Sequence, residues 1–125
     1  MHVKIDTREK FHAITILDPV LAANMTDDLD KYLLPLFKYD VKNVVLILKG
    51  VHEVQEEAAE QLVRIQGTFY ENSSSFVICE LEPAVEESLE GNGLLELMNV
   101  VPTEVEAGDI VLMEEVEREL LNGED

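Results

Sequence analysis

Apolar positions fall in short blocks separated by polar breaks, and the spacing within the blocks changes along the chain. His2 to Asp6 alternates weakly, the polar run Thr7-Arg8-Glu9-Lys10 interrupts it, and Phe11 to Leu17 is rich in β-branched and apolar residues. This pattern predicts two strands joined by a hairpin-like turn. Asp18-Pro19 breaks the extension. Asn24 and Thr26 both suit a helix N-cap, and Asp27 and Asp28 place negative charge in the first turn, where the helix dipole favours it. Leu29, Leu33 and Leu36 then recur at i, i+4 and i+7, which predicts a helix to about Lys38. Pro35 lacks a backbone donor, so a kink or early end is expected there.

The block Val44-Val45-Leu46-Ile47-Leu48 is apolar without alternation, the signature of a strand covered on both faces, and Gly50 ends it. From Gln55 to Asn72 the spacing of Ala58, Leu62, Ile65 and Phe69 is helical. Phe76 to Cys79 reads as a short strand. Pro83 opens a helix carrying Val85 and Leu89, stopped by Gly91-Asn92-Gly93. Leu97 to Val101 is a last extended piece. Thr103 and Glu106 then form a capping box for a long acidic helix to about Leu121. In it Leu112, Val116 and Leu120 are the expected buried stripe, and Glu114 and Arg118 an i, i+4 pair. The order ββαβαβαβα predicts one α/β domain over residues 1–125, a mixed β-sheet packed with helices. Val45, Ile47, Leu62, Ile65, Val77 and Leu112 are expected to share its core.

Charge narrows the range of partners. The 125 residues carry 9 basic and 27 acidic side chains, a net charge of −18. Phosphate backbones and anionic lipid headgroups repel such a chain, so nucleic-acid binding is not expected and a partner should present Lys and Arg. A hydrophobic content of 46% is too high for a disordered acidic tail. The longest apolar run, Val44 to Leu48, is far short of the roughly 20 residues of a membrane span. The start Met-His-Val-Lys-Ile-Asp lacks the apolar core of a signal peptide. A cytoplasmic protein without membrane insertion is expected.

Candidate chemistry is sparse. His2, His12 and His52 stand apart with no second ligand at metal spacing, and Cys79 has acidic Glu80 beside it, which disfavours a thiolate. Ser73-Ser74-Ser75 has no nearby His or Lys to activate it, and Gly91-Asn92-Gly93 serves as a helix stop rather than a phosphate loop. No enzyme, metal or cofactor is expected from these residues.

Leu46-Ile47-Leu48-Lys49-Gly50-Val51, followed after three residues by a helix start at Gln55-Glu56-Glu57-Ala58, resembles the STAS domain (sulfate transporter and anti-sigma-factor antagonist). Cys79-Glu80-Leu81-Glu82-Pro83-Ala84-Val85, Leu89, Gly93-Leu94 and Pro102-Thr103-Glu104-Val105-Glu106-Ala107 follow the same family's pattern in order and spacing. The resemblance covers nearly the whole chain. It implies a bacterial, non-enzymatic interaction module of the anti-sigma-factor-antagonist kind. Its partner surface would include Gly50, Gln55, Glu56 and Glu57, and its partner would be a regulatory protein such as an anti-sigma factor. The family's Asp-Ser-Ser/Thr-Gly motif falls on Gln55, Glu56, Glu57 and Ala58, so Glu56 takes the place of the phosphoacceptor serine. An acidic residue common before the family's first helix falls on Ala22. Glu56 is then either an ordinary helix-start acid or a stand-in for the phosphorylated state. Two further readings stand beside this one: an accessory subunit binding the ATPase of a membrane lipid-transport system, and a small-ligand-binding domain.

Overall fold

The computed structural model describes residues 1–122. Strands β1 (Val3–Thr7) and β2 (His12–Ile16) form the antiparallel hairpin expected from the first two blocks. Two short strands, β3 (Val20–Leu21) and β5 (Glu53–Val54), pair in parallel outside the main sheet. Helix α1 (Thr26–Leu33) leads to β4 (Val44–Ile47), α2 (Glu56–Glu71) to β6 (Phe76–Cys79), and α3 (Pro83–Gly91) to β7 (Val100–Val101), before α4 (Glu104–Asn122). β2, β4, β6 and β7 are parallel, and the sheet runs β1-β2-β4-β6-β7.

The strand order advances in one direction, and right-handed crossovers then place every connecting helix on the same face. Leu29 and Leu33 of α1, Leu62, Ile65 and Phe69 of α2, and Val85 and Leu89 of α3 accordingly share a core with Ile14, Leu46 and Ile78. The opposite face is left to α4. There Ala107 and Val111 pack with Ala13, Val45, Ile47, Val77 and Cys79 in a second, smaller core. The single core expected from the sequence is therefore two, one on each side of the sheet.

Helix ends differ from expectation in detail. Neither Asn24 nor Thr26 caps α1: a 3-10 turn over Ala23–Met25 runs into it, and its N-cap is Met25, with no side-chain bond. Pro35 acts as anticipated, since Leu34–Lys38 continues as a 3-10 helix. Leu95–Leu97 is also 3-10, so only Val100–Val101 of the last extended piece is strand. Gly93, at φ +78°, closes α3, with the Leu94 N–H donating to the Leu89 carbonyl at 3.0 Å. Thr103 Oγ1 accepts from the Glu106 N–H at 3.2 Å to start α4.

The face of α4 is the principal correction. Leu112, Val116 and Leu120 point outward, and Leu112 is 45% exposed. Ala107, Gly108 and Val111 face inward instead. Small residues let the helix approach a sheet face that is itself built of small and β-branched side chains. A Cβ at Gly108 would meet the Phe11 ring at 3.4 Å. Nor does Glu114 pair with Arg118: it accepts a hydrogen bond from the Tyr70 hydroxyl at 2.7 Å, while Arg118 lies 3.6 Å from Glu115.

Arg118 and Glu115 belong to a polar clamp around buried Asn43. The Asn43 Nδ2 group donates to the Lys10 carbonyl at 2.8 Å and to Glu115 Oε1 at 2.7 Å. Its Oδ1 accepts from the Ser75 N–H at 2.7 Å and from Arg118 at 3.2 Å. The amide thus uses all its bonding capacity to tie the starts of β4 and β6 to α4.

Leu62→Ala or Ile65→Ala should cost about 2–5 kcal/mol in denaturant unfolding, against less than about 0.5 kcal/mol for Leu112→Ala. Equal losses at all three positions would mean that α4 turns Leu112 inward. The clamp predicts a pH signature. The Asn43 hydrogen bond, opposed by burial and aided by Arg118 and Lys10, holds the Glu115 carboxyl below its ordinary value of 4.5. Its stabilisation is therefore complete above that value and lost as pH falls through the lowered one. The stability difference between wild type and Glu115→Gln should be constant above about pH 5 and close in more acidic solution. A difference that persists unchanged down to about pH 2 would contradict it.

Candidate functional site

Parallel pairing of β2 with β4 brings their carboxyl ends side by side, and the chain segments leaving those ends are tied together. The His52 N–H donates to the Pro19 carbonyl at 2.7 Å and the Gln55 N–H to the Leu21 carbonyl at 2.8 Å, framing the β3–β5 pair. Pro19 is suited to this role, because its carbonyl remains an acceptor while its ring ends β2's extension.

Gln55 is the N-cap of α2, with extended backbone (φ −72°, ψ 152°), but its side chain does not cap its own helix. Gln55 Oε1 instead accepts from the Ala23 N–H at 2.7 Å, which fixes the turn before α1 against the start of α2. The first-turn N–H groups of α2 thus have no side-chain cap, and Glu56 and Glu57 supply the negative charge favoured there. Both carboxylates are exposed, as is Glu53 just upstream. Gly50 lies in the exposed turn closed by the Val51 N–H on the Leu48 carbonyl at 3.0 Å, and a Cβ there would meet nothing within 4 Å. The structure therefore brings Gln55, Glu56 and Glu57 together at one helix start, with Gly50 in the loop leading to it.

Neighbouring side chains extend this surface in ways that the sequence pattern did not signal. His52 Nδ1 lies 2.9 Å from the Glu82 carboxylate at the start of α3, so the loop after β4 is linked to a second helix. Gln61 bridges α2 to Asp30 of α1 and accepts from Arg64 at 2.6 Å. Ala22 is half-buried in the turn that Gln55 holds. No single residue type marks such links, because each joins side chains or backbone 30 to 32 positions apart in the sequence.

The other candidates have structural roles. His12 is buried; its Nε2 donates to the Val41 carbonyl at 2.7 Å, so in the neutral ring Nδ1 accepts from the Thr7 hydroxyl at 2.8 Å. Burial, and then the charges of Glu80 and Glu104, push the Cys79 thiol up to about 12, which leaves it a packing group. Ser75 is buried beside Arg118 in the Asn43 clamp. Among the described residues no three His, Cys, Asp or Glu side chains gather to hold a metal ion. A surface hollow lined by Glu90, Gly93, Leu95 and Glu96 at the end of α3 lacks a positive group to orient an anionic ligand.

The model of the STAS domain family matches residues 2–107. No curated protein matches the chain. Among solved structures, an anti-sigma factor antagonist of Mycobacterium paratuberculosis is similar with a TM-score of 0.74 and 13% identity, over 88% of this chain and 92% of the other. The RsbS protein of Moorella thermoacetica, in a form with serine replaced by glutamate, is similar with a TM-score of 0.73 and 19% identity, over 94% and 99% of the two chains. A murine Solute Carrier 26 anion transporter contains the same fold within 18% of its length, with a TM-score of 0.68 and 15% identity over 83% of this chain.

Proposed function

The chain belongs to the STAS domain family, and from that premise we propose that it is a cytoplasmic, non-enzymatic module that docks a regulatory protein through the start of α2. The partner is of the kind bound by anti-sigma-factor antagonists, and Glu56 takes the place of a phosphorylatable serine. One observation carries this reading. Exposed Glu56 and Glu57 stand on a helix start that Gln55 holds rigidly through Ala23. A prearranged pair of carboxylates is a ready acceptor for Arg or Lys through charge-assisted hydrogen bonds. With a net charge of −18, the protein also attracts a basic partner at long range.

Glutamate at this place cannot accept a phosphoryl group as a serine hydroxyl does, so contact here is constitutive rather than switched. The similar RsbS form likewise carries a glutamate in place of a serine and keeps the fold. No described helix is long and apolar enough to cross a membrane.

Affinity capture from the native lysate with wild-type and Glu56→Arg baits tests this reading. Reversing the charge should weaken retention of the partner by roughly five- to thirtyfold, the equivalent of about 1–2 kcal/mol, with the fold retained and the melting temperature lowered only slightly by the lost helix-dipole contact. The loss should shrink as salt rises. Glu56→Ser should take up phosphate from labelled ATP in the same lysate while wild type does not. Partners retained equally by wild type and Glu56→Arg would place the interface elsewhere.

A further inference from the structure

Helix α4 has a second apolar face that no other described residues cover. Val105, Leu112, Met113, Val116 and Leu120 are between 45% and 74% exposed. At about 100° per residue they fall in one stripe, turned away from the Ala107–Gly108–Val111 face that meets the sheet. Scattered exposed leucines are ordinary, but exposed apolar residues gathered on one side of a helix mark an interaction surface. At its amino end the stripe opens onto a hollow lined by Arg8, Phe11, Glu104, Val105 and Gly108, where the absent Gly108 side chain leaves the Phe11 ring accessible.

Charge decides the occupant. Exposed Glu106, Glu117 and Glu119 flank the stripe, and exposed Asp109 lies within it, four residues from both Val105 and Met113. The only cation of α4, Arg118, is drawn inward to Asn43 and Ser75. A second copy of the chain would bring the same carboxylates and another −18 charges against this surface, and an anionic membrane would be repelled in the same way. We infer that the outer face of α4 docks an amphipathic helix from another protein, with an apolar face bordered by Lys and Arg. It would anchor a bulky apolar side chain in the hollow beside Phe11. This surface lies across the sheet from α2, so it can be filled whether or not the start of α2 is occupied.

The probes are a synthetic amphipathic helix of Leu and Lys, a scrambled peptide of the same composition, and a Leu/Glu peptide of the first pattern. Titrations would follow backbone amide shifts in the protein. The Leu/Lys helix should bind and shift amides between Val105 and Leu120, whereas the scrambled peptide should bind roughly tenfold more weakly and the Leu/Glu peptide not at all. Leu112→Gln with Val116→Gln, which alters no charge, should weaken the Leu/Lys helix roughly tenfold while leaving the melting temperature and capture by the start of α2 unchanged. Met113→Gln alone should produce a smaller loss in the same direction. Three outcomes would overturn the inference: equal binding by wild type and the double variant, shifts confined to the start of α2, or a wild-type dimer in sedimentation that Leu112→Gln dissociates.

Discussion

The structure depends on the double burial of β4. Each side chain from Val44 to Leu48 is buried, alternately on one face of the sheet and the other, with β2 and β6 paired on either side. A strand in this position must have both faces covered. The crossovers through α1, α2 and α3 can cover only one, because the strand order runs in a single direction. The second face needs an element from elsewhere in the chain, and α4 supplies it. The Asn43 clamp is the polar counterpart of that arrangement: the residue that precedes β4 also holds the helix that covers it.

The position of the proposed site follows from the same constraint. Loops at the carboxyl ends of neighbouring parallel strands emerge together. Here those loops are the segments after β2 and β4, and the Gln55–Ala23 hydrogen bond joins them. Rigidity at the start of α2 and charge at Glu56 and Glu57 therefore have separate origins. Backbone pairing around Pro19 and Leu21 provides the first, and exposed side chains free of packing duties provide the second. Such a site can change its charge in evolution at little cost to the fold.

Much of this was legible in the sequence, for physical reasons that also explain what was not. The unalternating block at Val44 and the helical spacing of Leu62, Ile65 and Phe69 report burial directly, and both elements lie where the pattern predicts. The orientation of α4 was hidden because helical periodicity gives most weight to the largest aliphatic residues. In this helix those residues face solvent, while Ala107 and Gly108 make the close approach. The β3–β5 pair was hidden because two-residue strands have no periodicity, and their bonds depend on the carbonyls of Pro19 and Leu21. At the site, the residue types from Gln55 to Glu57 were visible, but the role of Gln55 as a link rather than a cap depends on Ala23, which has no side-chain signal at all.

Native-state hydrogen exchange tests most directly the claim that β4 is the frame on which the rest is mounted. If both faces of the strand stay covered until the molecule unfolds as a whole, the Val45 and Ile47 amides will exchange with a free energy equal to that of global unfolding in denaturant. Exchange of those two amides at a clearly lower free energy, together with the amides of α4, would contradict the account. It would mean that α4 leaves the sheet while the other face stays folded.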